Sequence, residues 1–190
     1  MASNIVAHEL GLTLELEKVN LREHLTESGE DYYAINPKGY IPALVLDDGQ
    51  LLTEGVAIMQ YLADLKPEAN LVPDRTSFER YRLQEWLTFV NSEVHKMLGA
   101  LFAPNLEEAR KQIIIERSLK RLEFVDKHLA TNKYLMGEQY TVADSYLFTV
   151  VSWSKMLNVD ITALANLNRF LQEVGSRPAV IQTMQSEGLI

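Results

Sequence analysis

Asn36-Pro37-Lys38-Gly39-Tyr40-Ile41-Pro42-Ala43-Leu44 leads into a short hairpin, and Leu52-Thr53-Glu54-Gly55 behind it opens a helix. A strand entered through Pro42 leaves the N–H and C=O of Ile41 unpaired at a sheet edge, available to an extended ligand. The helix beginning near Glu54 directs its free N–H groups and positive dipole end to the same side, where a carboxylate can sit. The stretch therefore reads as half of a binding site for a small peptide, in which one edge recognises backbone and one pole recognises charge.

On either side of it, helical and extended patterns alternate. Ala2 to Leu10 reads as a short helix, with Ile5, Val6 and Leu10 on one side and Gly11 closing it. Leu12, Leu14 and Leu16 alternate with Thr13, Glu15 and Glu17, the period of a half-buried strand. Residues from about Glu27 to Ile35 read as an irregular helix. Ala43 to Leu46 and Leu51-Leu52 are expected to pair as an antiparallel hairpin, with Asp47-Asp48-Gly49 supplying the turn. The helix from Glu54 to about Leu65 carries Ile58, Leu62 and Leu65 on one stripe, with Thr53 as its expected cap.

Lys66 to about Arg75, with Pro67 and Pro73, breaks the periodicity and reads as a linker. Everything beyond it is helical in pattern. Leu83, Trp86, Leu87, Val90, Val94 and Met97 define one long amphipathic helix, and Ile115, Leu119, Leu122 and Val125 a second over about Leu106 to Leu129. Thr141-Val142-Ala143-Asp144 is an aspartate variant of the capping box, so both ends of the motif are read as structural; the helix it opens has Val142, Tyr146 and Val150 as its buried stripe. Two shorter helices, around Leu164–Val174 and Pro178–Glu187, follow.

At 190 residues and 47% hydrophobic content the chain can bury a substantial core. No run approaches the length of a membrane span, and the N-terminus lacks the layout of a signal peptide, so a soluble cytoplasmic protein is expected. The net charge of −8 is spread without a basic stripe, which argues against nucleic acid or an anionic membrane as partner. With no cysteine, the chain has no disulfide, thiolate metal site or cysteine nucleophile. His8, His24, His95 and His128 form no ligand pair at helical spacing, and no metal is expected.

The residues from Asn36 to Gly55 resemble the glutathione-binding half of a bacterial, beta-class glutathione transferase. The resemblance continues through Tyr81–Lys96, Gly137–Tyr146 and Arg177-Pro178, and so covers nearly the whole chain. It implies a thioredoxin-like α/β domain over 1–66, a linker over 67–76 and an all-α domain over 77–190. The departure is at the start, where Met1-Ala2-Ser3-Asn4-Ile5 resembles the opening of the family's first helix. The preceding strand and catalytic loop, about a dozen residues, are not in this sequence. That strand is central in the thioredoxin-like order, so three resolutions compete: a chain start displaced to an internal methionine, a rearranged sheet, or a neighbouring protomer filling the gap. The first is expected, and intact-mass analysis of the native protein that returned the mass of this chain would sink it.

By resemblance, Pro42 is cis and Ile41 pairs with the cysteinyl backbone of glutathione; the residue-level alternative is an ordinary strand start. Glu54 accepts from the α-amino group of the γ-glutamyl moiety and Gly55 N–H meets its carboxylate, although an acidic residue at a helix start is also explained by the dipole alone. Lys38 offsets the glycyl carboxylate or is a solvated loop lysine. His95 and Lys96 match a His-Lys pair facing the bound thiol, with His95 hydrogen-bonded to sulfur and Lys96 adding positive potential. Without the family, both would be read as cations favoured near a helix C-terminus. Glu93 belongs to that cluster or is a helix-surface charge. Trp86, Trp153, Tyr81 and Phe102 are assigned to no substrate pocket.

The expected function is conjugation of the glutathione thiolate to small electrophiles by a homodimer, with glutathione as co-substrate and no other cofactor. Activity is expected to be lower than in a relative that has the catalytic loop. The alternative is a noncatalytic glutathione-binding or scaffold protein of the same fold.

Overall fold

A computed structural model describes residues 1–190. The first helix, α1 (Ala2–Glu9), buries Ile5, Val6 and Ala7 completely, and Gly11 at φ +61° turns the chain away from it. Residues 12–18 form neither helix nor strand, with Leu12 and Leu14 half-buried against the core and Thr13 and Glu15 exposed. The expected strand from Leu12 to Leu16 is nonetheless absent, because no other strand pairs with it. Alternation selects a buried face, but a strand also needs a partner for its backbone groups.

A minimal antiparallel ribbon follows, in which β1 (Val19–Asn20) pairs with β2 (Leu25–Thr26). Of the irregular helix expected from Glu27, only the last turn forms, as α2 (Tyr32–Ile35). Gly29 at φ +90° closes a separate turn in which Thr26 N–H donates to Glu30 C=O at 2.9 Å, and Asp31 then caps the helix through Tyr33 N–H at 3.0 Å. The hairpin forms as expected. β3 (Ala43–Val45) and β4 (Leu51–Thr53) run antiparallel in the register Ala43↔Thr53, Leu44↔Leu52, Val45↔Leu51, with Gly49 at φ +83° in the turn. Helix α3 (Gly55–Asp64) then buries Ile58, Met59, Leu62 and Ala63.

Asp64 at the end of α3 is joined to the next helix by a bidentate pair with the buried Arg80, at 2.9 and 3.0 Å. That helix is continuous from Phe78 to Ala100 but not uniform. It comprises α4 (Phe78–Phe89), a π-helical segment (Val90–His95) and α5 (Lys96–Ala100). The wider turn shifts the buried register: Val90, Val94 and Leu98 recur every fourth residue, so Leu98 is buried where α-helical spacing expects Met97. The remaining helices are α6 (Glu108–Leu129), α7 (Val142–Val151), α8 (Ala165–Gly175) and α9 (Pro178–Ser186).

All ten residues of α7 are buried, and α1, α3, α4, the π-helical segment and α8 pack around it. Helix α1 also lies on α9, where Arg177 grips Glu9 at 2.6 and 2.9 Å and stacks 3.7 Å over the ring of Tyr140. One continuous apolar core therefore joins α1 and α3 to α4 and the helices that follow it, and takes in Leu71 and Val72 between them. No helix is long and apolar enough to cross a membrane.

The start of α7 is held by a fully buried carboxylate. Asp144 Oδ2 accepts from Thr141 N–H at 2.8 Å and Thr141 hydroxyl at 2.9 Å, and Oδ1 accepts from Leu135 N–H at 2.8 Å. The structural reading of the Thr141–Asp144 motif matches this geometry. Asp144→Ala leaves two buried N–H groups unpaired and should cost about 3–5 kcal/mol by chemical denaturation. Burial raises the Asp144 carboxyl from the ordinary 3.8 to about 6. A carboxyl raised on folding stabilises fully below its unfolded value and loses that contribution as pH climbs through its folded value. The stability advantage of wild type over Asp144→Asn should therefore narrow between about pH 4 and pH 7.

Candidate functional site

The loop before the hairpin is built around one carbonyl. Tyr40 C=O accepts from Asn36 Nδ2 at 2.7 Å and from the Tyr32 hydroxyl at 2.8 Å. Asn36 is buried; its Oδ1 also accepts from Lys38 N–H at 3.2 Å, and its C=O accepts from Gly39 N–H at 2.8 Å. Gly39 is required here, since it sits at φ +69° and a Cβ on it would lie 2.7 Å from Tyr33 Cε1. With the Tyr40 carbonyl gripped from two sides, the peptide plane leading into Ile41 is set.

The Ile41–Pro42 bond is cis. Ile41 is 52% exposed, and neither its N–H nor its C=O has a hydrogen-bond partner in the chain. Gly55 abuts Pro42: a Cβ on it would lie 3.6 Å from Pro42 Cγ, so the start of α3 sits directly beside the loop. The N–H groups of Gly55 and Val56 have no partner in the chain either, because the first helical bonds are made by Ala57 and Ile58 to Glu54 C=O. Unpaired donors at the positive end of α3 lie next to the unpaired backbone of Ile41, as the local sequence predicts.

Thr53 does not take the place expected of it. Glu54, at φ +68° and ψ 112°, occupies the cap position of α3, and no side chain caps the helix. Thr53 is not a cap; its hydroxyl accepts from Lys38 Nζ at 3.0 Å. The same Nζ pairs with Glu54 Oε1 at 2.7 Å, an exposed pair that sets the lysine over the β4–α3 junction. The reason is spatial: the gripped loop brings Lys38 over the β4–α3 junction, and the positive-φ turn at Glu54 presents the carboxylate to it.

His95 ends the π-helical segment. Its Nδ1 lies 2.6 Å from the hydroxyl of Tyr146 on α7, and that hydroxyl donates to Asn91 Oδ1 at 2.9 Å. Trp153 meets the imidazole edge-on at 5.0 Å, and Phe102 backs Trp153 at 5.5 Å. Burial lowers the His95 pKa below its ordinary 6.5, and the neighbouring Lys96 charge lowers it further. Lys96 itself is exposed and makes no ion pair. Glu93 pairs with Arg121 on α6 at 2.7 Å, the helix-surface reading of that residue. Burial, followed by the negative charge of Glu54, raises the Tyr146 pKa.

The sequence placed Tyr146 only as one of a buried stripe and did not single out Asn91 or Tyr32. Asn91 and His95 are four residues apart, a spacing that gives them a common face. Tyr146 lies 51 positions beyond His95, and no local pattern joins them.

The sequence model for the glutathione S-transferase N-terminal domain matches residues 3–65, and that for the C-terminal domain matches residues 84–178. Over 189 residues the chain is 41% identical to Glutathione S-transferase GstA of Escherichia coli O157:H7, covering 100% of this chain and 94% of that one. A solved glutathione transferase from Methylococcus capsulatus str. bath is similar at a TM-score of 0.97 and 48% identity, with 100% and 94% covered. A sphingomonad glutathione S-transferase complexed with glutathione is similar at a TM-score of 0.95 and 38% identity, with the same coverage of 100% and 94%. The chain belongs to the glutathione S-transferase family, with a thioredoxin-like N-terminal domain and a helical C-terminal one.

The two polar side chains of the loop should respond differently to truncation. Asn36→Ala removes buried bonds to Tyr40 and Lys38 and should destabilise by about 2–3 kcal/mol. Lys38→Met breaks an exposed pair and should change stability by less than about 1 kcal/mol. Urea denaturation of the two variants measures both.

Proposed function

We propose that this chain conjugates glutathione to small electrophiles, using the Ile41–Pro42 edge, the start of α3 and His95 as one site. The observation that carries the reading is the juxtaposition of unpaired Ile41 backbone with the unpaired N–H groups of Gly55 and Val56. An extended tripeptide satisfies both: its cysteinyl backbone pairs with Ile41, and its γ-glutamyl carboxylate meets the N–H groups at the positive pole of α3. Glu54 accepts from the α-amino group. Lys38 acts through Glu54, holding the carboxylate in place, and Lys96 adds positive potential near the thiol. The glutathione complex of the sphingomonad relative supports the choice of ligand.

The thiol of a ligand so placed is directed to His95. Sulfur passes its proton to the neutral His95 ring, keeps the electron pair and forms the new S–C bond, while the leaving group departs with its own bonding pair and is protonated by solvent, to which His95 then returns its proton. No other cofactor enters the step. His95 supplies about one to two orders of magnitude. The protein works as a cytoplasmic homodimer; the exposed Val45 and Leu51 on the hairpin and Phe78 and Tyr81 on α4 are apolar surface of the kind a partner protomer covers.

Calorimetric titration with reduced glutathione near neutral pH should give micromolar to millimolar binding, and Glu54→Gln should weaken it about tenfold or more. His95→Ala should lower kcat by about 10- to 100-fold with the glutathione KM little changed. Turnover should fall on acidification only below about pH 6.5, as the lowered His95 pKa is crossed and the ring charges. Binding without turnover would favour a noncatalytic glutathione-binding role, and the absence of binding heat at two temperatures would overturn the site itself.

A further inference from the structure

The hydroxyl of Tyr146 is the only group in the chain that bonds to the His95 ring, and it has one proton to give. That proton goes to Asn91 Oδ1 at 2.9 Å. Toward His95, 2.6 Å away, the hydroxyl can therefore offer only a lone pair, and the ring must supply the hydrogen from Nδ1. A neutral imidazole with its hydrogen on Nδ1 keeps its free lone pair on Nε2. Asn91 and His95 reach the same hydroxyl because the π-helical segment sets them on one face, opposite α7. Trp153, edge-on to the ring at 5.0 Å, restricts its rotation.

We infer that Tyr146 and Asn91 are positioning residues that lock His95 in its Nδ1–H tautomer and so make Nε2 the acceptor of the glutathione proton. The catalytic half of this inference rests on the transferase reading; the tautomer does not. In the step, the S–H bond breaks, the Nε2 lone pair takes the proton and sulfur keeps the electron pair. The resulting imidazolium donates from Nε2 to the thiolate it has created and from Nδ1 to Tyr146. A donor bond from His95 to sulfur, the role expected from the family resemblance, thus arises only after the proton has moved. Lys96 on its own helix and burial both favour the neutral, proton-accepting form of the ring, while Glu54 on α3 acts on Tyr146.

Long-range ¹H–¹⁵N correlation of the imidazole reads the tautomer without reference to turnover. Wild type should show His95 protonated at Nδ1. Tyr146→Phe removes the acceptor with little change of shape. Asn91→Ala, at an exposed position that should not disturb folding, frees the phenol proton to turn toward Nδ1 and drives the ring hydrogen to Nε2. Both variants should lose the Nδ1–H pattern and lower kcat by about tenfold, with the glutathione KM unchanged and no further loss in a His95→Ala background. A wild-type ring protonated at Nε2, or a pattern unmoved in both variants, would overturn the inference. A tautomer that responds as described in a protein without turnover would overturn the transferase reading alone.

Discussion

The arrangement depends first on a charge that water does not reach. Asp144 has no exposed surface, and its two oxygens accept from Thr141 and Leu135. Those bonds fix where α7 starts and how the preceding turn folds onto it. Because α7 is buried on every side, a displaced start would misplace its contacts with α1, α4 and α8 together. Tyr146, two residues beyond Asp144, inherits this precision. The hydroxyl that orients His95 is anchored in the most enclosed helix of the molecule, while the imidazole it orients is carried by a helix nearer the surface. A side-chain geometry held in this way owes little to rotamer freedom around the imidazole.

The π-helical segment is the complementary device. An α-helical continuation from Leu83 and Leu87 would rotate the apolar stripe past Val94 toward Met97. The wider turn keeps Val90, Val94 and Leu98 inward in steps of four. Asn91 and His95 share the same step, and so stand together over Tyr146. The local irregularity serves packing and chemistry at once.

The half of the site that we propose recognises the peptide offers main chain rather than side chains. Its donors are the Gly55 and Val56 N–H groups, its ladder partner is Ile41, and the side chains of Asn36 and Tyr32 act one step behind them by holding the Tyr40 carbonyl. This arrangement suits a chain of net charge −8, since oriented dipoles would receive an anionic group in a place where the overall field opposes it. Glu54 pairs with Lys38, so the carboxylate beside those dipoles does not stand alone.

Much of this was legible in the residue order. Asp-Gly between two apolar runs specifies a hairpin, Gly11 stops a helix, and Thr141-x-x-Asp144 announces a helix start, because each acts through atoms a few bonds away. The unpaired backbone of Ile41 beside Pro42 and the helix start at Gly55 were readable for the same reason: backbone geometry at a proline and at a helix end is set locally. Leu12 to Leu16 marks the other side of that boundary, where the alternation is correct but the strand does not exist without a partner to pair with. The place of Lys38 over Glu54, the π-helical register that buries Leu98, and the contact of Tyr146 with His95 were decided by tertiary structure alone. Each depends on where separate elements come to rest, and the sum of all their packing sets those positions rather than any spacing along the chain.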